Sequence, residues 1–188
     1  MPYDDRGLMN ETNRNIILDT LPENGTMLEY GIGFTSIWFL ENMKEGQNLI
    51  SIEHVPEWTE KILEMADEKE LSDKHTILLS NPPPKFLLPV EGKKEPVIVD
   101  PYSTPLEELA VAMSDYINIP GTDFGEIDTF LIDGIARASC LAVVSKTCQP
   151  DAAIFLHDWE TRREWYDWIV PVFSKVEEPT PNLLRLYV

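Results

Sequence analysis

The stretch Thr26-Met27-Leu28-Glu29-Tyr30-Gly31-Ile32-Gly33-Phe34-Thr35 decides how this chain is read. Its first five residues form a strand-like run, and Ile37-Trp38-Phe39-Leu40 beyond it suits a short helix. Between them, Gly31 and Gly33 permit tight turning and close approach of a ligand to the backbone. A helix starting there offers unpaired N–H groups. Strand, glycine turn and helix together describe a site for a nucleotide-like ligand, without saying which one.

Two acids narrow the choice. Glu29 ends the first strand, where it would repel a pyrophosphate and attract a cationic amino group or sulfonium. A dinucleotide fingerprint also asks for a third small residue, usually Gly or Ala, where Ser36 stands. The second strand, Asn48-Leu49-Ile50-Ser51-Ile52-Glu53, ends in an acid 22 residues after Gly31. A carboxylate there can accept two hydrogen bonds from a ribose diol.

Outward from this unit, strand-like and helix-like runs alternate, which predicts an α/β fold with a mainly parallel sheet. Asn10 to Leu21 precedes it as an amphipathic helix. Pro56 to Glu70 follows as a helix with Trp58, Ile62, Leu63 and Met65 as candidate core positions, and Thr76 to Leu79 as a third strand. A Pro-rich insertion, about residues 81–105, interrupts the rhythm; Phe86 to Val90 and Pro96 to Asp100 inside it suit a hairpin. It is too short for its own core, so residues 1–188 form one domain. Then come a helix (Pro105 to Ile117), a strand (Ile127 to Asp133), a helix (Ala136 to Thr147), a strand (Ala152 to Asp158) and a helix (Glu160 to Val170). Two antiparallel strands, Phe173 to Glu177 and Leu183 to Val188, close the chain.

The pattern Glu-x-Gly-x-Gly-x-Thr after the first strand, with Ser51-Ile52-Glu53-His54 ending the second, resembles motifs I and II of class I S-adenosylmethionine (SAM)-dependent methyltransferases. Leu131-Ile132-Asp133-Gly134 with Arg137 is similar to their fourth-strand motif, and Gln149-Pro150-Asp151-Ala152 stands where many members have Lys-Pro-Gly-Gly. Trp58, after Glu53-His54-Val55-Pro56-Glu57, resembles a small O-methyltransferase-like subgroup. The resemblance spans roughly Met27 to Asp158. It implies a Rossmann-like doubly wound sheet, mostly parallel with an antiparallel C-terminal strand.

The resemblance also implies roles. Glu29, Tyr30, Gly31, Gly33 and Thr35 surround the methionine part of SAM. Glu53 holds the ribose and His54 lies near the adenine. Ser80 or Asn81 touches the adenine edge, and Asp133 joins the cofactor site. Asn81-Pro82-Pro83-Pro84 is similar to the Asn-Pro-Pro-aromatic motif of amino-group methyltransferases, but follows the third strand instead of the fourth and is set aside as catalytic.

The fourth and fifth strands end at Asp133 and His157-Asp158, and ligands of open α/β sheets bind beyond such ends. Three readings stand open there. Asp133 and Asp158, with His157, bind Mg2+ or Mn2+, which holds two substrate oxygens; Trp159 then stands where one further ligand is expected. Alternatively, His157 or Asp158 is a general base without a metal. In the third, the group is structural, with Asp158 capping the next helix. Arg137 clamps an anionic or polyhydroxylated substrate, or pairs with a nearby acid. Trp159 could stack on a sugar or aromatic ring.

The leading expectation is O-methylation of a small molecule or saccharide. Its rivals are a nicotinamide-dependent oxidoreductase, which Glu29 disfavours, and a cofactor-binding protein without methyl transfer. A formal net charge of −18 disfavours nucleic acid as a partner. No apolar run of membrane-spanning length occurs, and Met1 to Asn15 is polar, so a cytoplasmic protein is expected. Cys140 and Cys148 are expected to be buried free thiols. The insertion could form a lid, a substrate wall or a contact in a homo-oligomer.

Overall fold

The computed structural model describes residues 9–80, 87–88, 97–98, 113–119 and 121–188. Asn81, the proline run after it, most of the insertion and residues 105–112 of the expected helix lie outside these.

Helix α1 (Glu11–Leu18) begins at Asn10, whose side chain accepts a hydrogen bond from the Asn13 N–H. Strand β1 (Thr26–Tyr30), helix α2 (Phe34–Asn42), strand β2 (Asn48–Glu53), helix α3 (Pro56–Glu68) and strand β3 (His75–Leu79) follow. Within the insertion, β4 (Leu87–Leu88) and β5 (Val97–Ile98) pair antiparallel, as the hairpin reading expects. The second half holds α4 (Ser114–Ile117), β6 (Thr129–Ile132), α5 (Arg137–Thr147), β7 (Ala153–His157), α6 (Trp159–Tyr166), β8 (Lys175–Thr180) and β9 (Leu183–Tyr187).

The main sheet has seven strands in the order β3-β2-β1-β6-β7-β9-β8. Strands β3 to β7 in this order are parallel; β9 runs antiparallel to both β7 and β8. The fold is the Rossmann-like doubly wound α/β arrangement. Strand alternation divides its apolar residues between two faces. Leu28, Tyr30, Phe130, Ile132 and Ile154 pack with Tyr116, Leu141 and Trp159 on one side. Met27, Leu49, Leu131 and Phe155 pack with Ile17, Ile37 and Ile62 on the other.

The chain moves outward from β1 to β2 and β3, then crosses back to β6. That reversal opens a crevice beyond the carboxyl ends of β1 and β6. Two glycines meet there. Gly31 has φ +95°, and a Cβ on it would lie 2.6 Å from the Gly134 Cα.

Several boundaries differ from the sequence reading. Pro179 lies within β8, which is tolerable because β8 is an edge strand with no outer partner that needs the N–H proline lacks. Helix α6 is shorter than expected and is interrupted at Arg162, whose φ is −135°. Leu63 is 39% exposed, because the buried stripe of α3 runs through Thr59, Ile62 and Ala66. Cys140 is a buried free thiol, and Cys148 is half-buried and also free.

Candidate functional site

A cavity of about 390 Å³ occupies the crevice. That volume lies within the range of small-molecule sites. Its walls include Glu29, Gly31, Gly33, Thr35, Glu53 and His54 from the first half, and Tyr116, Asp133, Gly134 and Arg137 from the second. Phe34 and Trp58 add an aromatic wall, with ring centroids 5.5 Å apart and the Lys61 ammonium 4.7 and 4.5 Å from them. The Trp58 indole N–H donates to the Ile32 carbonyl, which ties α3 to the glycine turn.

Glu29 is 1% exposed at the end of β1. Its Oε1 accepts from the Ser51 hydroxyl at 2.6 Å, and the Ser36 hydroxyl also donates to the carboxylate. Ser36 is oriented for this, since its oxygen already accepts the Gly33 N–H at 2.9 Å. Burial pushes the Glu29 carboxyl up to about 8, against the two hydroxyl donors, and the charges of Asp133 and Glu53 raise it further. The carboxylate thus has polar donors and acidic neighbours, but no positive charge beside it among the described residues. A cation entering the cavity would supply that charge.

Glu53 differs. Burial would raise its pKa, but hydrogen bonds hold it below the ordinary carboxylate range. Its Oε1 accepts the N–H groups of His54 (2.7 Å) and Val55 (2.9 Å), and its Oε2 that of Ile32 (3.0 Å). One lone-pair position remains on Oε2, so a diol would share or replace one of these backbone donors. The ring of His54 meets Tyr116 edge-on at 5.5 Å.

Tyr116, from α4, is fully buried and its hydroxyl has no partner among the described residues. A Cβ on Gly134 would lie 2.0 Å from that hydroxyl. Glycine at 134 is therefore what admits Tyr116 to the cavity wall.

The remaining residues expected at the cofactor separate. Thr35 lines the cavity, and its hydroxyl accepts the Met9 N–H at 3.2 Å. Tyr30 does not: alternation turns its side chain to the opposite face, where the hydroxyl donates to the Ile117 carbonyl at 3.0 Å. Ser80 is buried outside the cavity lining, with its backbone N–H on the Glu53 carbonyl at 2.7 Å. Asn81 lies outside the described residues.

At the ends of β6 and β7, Arg137 is 6% exposed and is occupied by the protein itself. Its Nε donates to the Gly134 carbonyl (2.7 Å), Nη1 to the His157 carbonyl (2.6 Å), and Nη2 to the Asp133 carbonyl (2.8 Å) and Asp158 Oδ2 (3.1 Å). It also lies 3.3 Å from Asp133 Oδ1. Four N–H bonds to the chain leave little for a substrate, so Arg137 is a clasp between two strand ends instead of an anion clamp. Burial would raise the Asp158 pKa, but Arg137 chiefly holds it below its ordinary value. Asp158 does not cap the following helix through its side chain; it takes a left-handed conformation (φ +61°) and turns its carboxylate to Arg137 and Asn182.

His157 Nδ1 lies 2.9 Å from Asp133 Oδ1, and Nε2 lies 3.3 Å from the Asn182 amide nitrogen. Carboxylate and amide donor together favour a proton on Nδ1 and a free pair on Nε2. His157 and Asp158 lie beside the cavity, outside its lining, whereas Asp133 belongs to both. Trp159 is 6% exposed and stacks at 6.5 Å on Tyr166, a core role. Asp133, His157 and Asp158 each offer an atom within 4.8 Å of the others, a spacing open to a metal ion. The guanidinium 3.1–3.3 Å from both carboxylates argues against a divalent cation, because it already balances their charge. The residues do not fit Mg2+ or Mn2+ while Arg137 is in place.

The roles of Ser36, Ser51, Tyr116, Asn182 and His75 at the site were not read from the sequence. Ser51 alone carried a signal: it shares a strand face with Glu53, two residues on, and so could face Glu29.

No protein-family profile and no curated protein matches the chain. Solved structures do. A methyltransferase-like protein from Silicibacter pomeroyi superposes with TM-score 0.69 at 16% identity, covering 96% of this chain and 86% of the other. The O-methyltransferase TomG from Streptomyces achromogenes, solved with SAM and involved in tomaymycin synthesis, gives 0.60 at 12%, covering 96% and 81%. A SAM-dependent methyltransferase from Aquifex aeolicus gives 0.60 at 13%, covering 98% and 92%. The chain has the fold of these enzymes.

Proposed function

We propose that this protein is a SAM-dependent methyltransferase acting on an oxygen of a small molecule or saccharide. One observation carries the reading: Glu29 is a buried carboxylate on the cavity wall, given two hydroxyl donors and, among the described residues, no cation. A ligand with a positive amino group and sulfonium answers that arrangement, whereas a pyrophosphate would add charge to it. When bound, SAM supplies an electrophilic methyl group.

The chain's own residues do the rest. Glu29 balances the cationic end, and Glu53 holds a ribose hydroxyl from its fixed backbone cradle. Gly33, where a Cβ would stand in open space, lets the ligand lie against the backbone, and Gly31 lets its turn pack on Gly134. Asp133 holds the His157 Nδ1 proton, which leaves the Nε2 pair as the base that takes an acceptor hydroxyl's proton. The long contact from Asn182 marks that pair and yields its place to the hydroxyl. Arg137 keeps Asp133 and His157 in register, and orientation is a large part of such catalysis.

Isothermal titration of the wild-type chain with SAM and S-adenosylhomocysteine tests the cofactor. Micromolar binding, weakened at least tenfold in Glu53→Ala, is expected; absence of binding, or undiminished binding in the variant, would sink the reading. With an acceptor found by screening, activity indifferent to chelator is expected. Loss with chelator and return with Mg2+ or Mn2+ would replace the general-base version with a metal-dependent one.

A further inference from the structure

Behind Glu29, on the same face of the sheet, lie two residues that do not line the cavity. The register pairs Glu29 with Ser51, and Leu49 with His75, so Ser51 and His75 both lie on the Glu29 face of the sheet. The Ser51 oxygen is 2.6 Å from Glu29 Oε1 and 2.7 Å from His75 Nε2, and Ser51 is fully buried.

A serine has one proton to give. When Glu29 is ionised, that proton points to Glu29, and the Ser51 oxygen must accept from His75. His75 is then the Nε2–H tautomer. Its Nδ1 is buried without a partner among the described residues, which suits an imidazole that stays neutral. Burial also holds the His75 pKa down, to about 4.

Ser36 is built the same way. Its oxygen accepts an N–H from Gly33 and its proton goes to Glu29. Glu29 therefore has two hydroxyl donors, each locked by an N–H behind it. One lock is backbone and the other is the His75 side chain. Facing Glu29 are also Asp133 and Glu53, both of which oppose its ionisation. Donors must compensate for them if the carboxylate is to meet a cation.

We propose that Ser51 and His75 are positioning residues of the cofactor's amino-group site. The neutral His75 Nε2–H fixes the Ser51 hydroxyl toward Glu29 and so keeps Glu29 an acceptor for the cation. The inference rests on the SAM reading, but neither residue touches the cofactor.

The test is SAM affinity by titration calorimetry across about pH 6.5 to 9, on the full chain and on Ser51→Ala, His75→Phe and His75→Gln. Wild-type affinity is expected to rise with pH as Glu29 ionises, to peak at about 8, and to fall above it as the cofactor's own α-amino group loses its proton. Ser51→Ala and His75→Phe should move that peak to higher pH and weaken binding about tenfold at pH 7. His75→Gln, whose amide can donate to Ser51, should return the profile toward wild type. An unmoved profile in Ser51→Ala and His75→Phe, with wild-type binding intact, overturns the relay and leaves the cofactor reading standing. No wild-type binding at any pH overturns the cofactor reading itself. Should His75→Phe fail to fold, Ser51→Ala, which deletes a single oxygen, decides the matter.

Discussion

Glu29 sets two behaviours that pull against each other. Its folded pKa near 8 exceeds the ordinary 4.5, so the folded chain holds this proton more tightly than the unfolded chain. The resulting stability is complete below pH 4.5 and is lost as pH rises through 8. Glu29→Gln removes the liability. Without ligand, its melting temperature should gain on wild type steadily between about pH 5 and 8.5, while its affinity for SAM falls at least tenfold. A constant difference across that range would show that Glu29 is already ionised in the fold. The glycines divide as sharply. Gly33 lines the cavity in extended backbone, and a Cβ there meets nothing within 4 Å, so Gly33→Ala should keep the melting temperature and lose cofactor affinity. Tyr116→Phe removes a buried hydroxyl that has no partner among the described residues. It should leave unliganded stability unchanged or slightly higher, and weaken binding about tenfold if the ligand uses that hydroxyl, as calorimetry would read.

Elements were the most legible part of this sequence. β1 and β2 were readable to the residue, because each is a short apolar run bounded by turn residues, with an acid last or next to last. The side chains that act between elements were not. Arg137 is the clearest case. Its position after a strand was visible, but its bonds to Asp133, Gly134, His157 and Asp158 depend on β6 and β7 lying side by side. The turns it spans are strained, with Ala136 at φ +51° and Asp158 at φ +61°. Arg137→Met should cost about 3–5 kcal/mol by chemical denaturation, since it removes the positive charge beside two partly buried carboxylates, which keep only His157 and Asn182, and takes a donor from three carbonyls. A loss below 1 kcal/mol would show that the carboxylates find water instead. Tyr116 and Asn182 were illegible for the same reason: each reaches the site from a segment distant in sequence from the motif it serves.

At the scale of the molecule, the formal net charge of −18 bears on the encounter with ligand. The charge does distinguish the two forms of the cofactor. SAM carries one more positive charge than S-adenosylhomocysteine, so the field of the chain steers it inward. Stopped-flow association of SAM should slow as salt is raised from about 20 to 500 mM, while that of S-adenosylhomocysteine changes little. Equal salt dependence would mean that the cavity mouth does not feel the overall charge. Among the described residues no helix is long and apolar enough to cross a membrane.

The contact of Gly31, Gly134 and the Tyr116 hydroxyl joins three distant parts of the chain at one point. Neither glycine can therefore gain a side chain alone. A methyl group at 134 requires the ring at 116 to shrink or withdraw, and a side chain at 31 would strike the backbone at 134. In an alignment of this protein's own lineage, 134 should stay glycine wherever 116 is tyrosine, and 31 should stay glycine throughout. A family tree in which 134 acquires alanine while 116 keeps tyrosine would mean that α4 sits differently in those descendants.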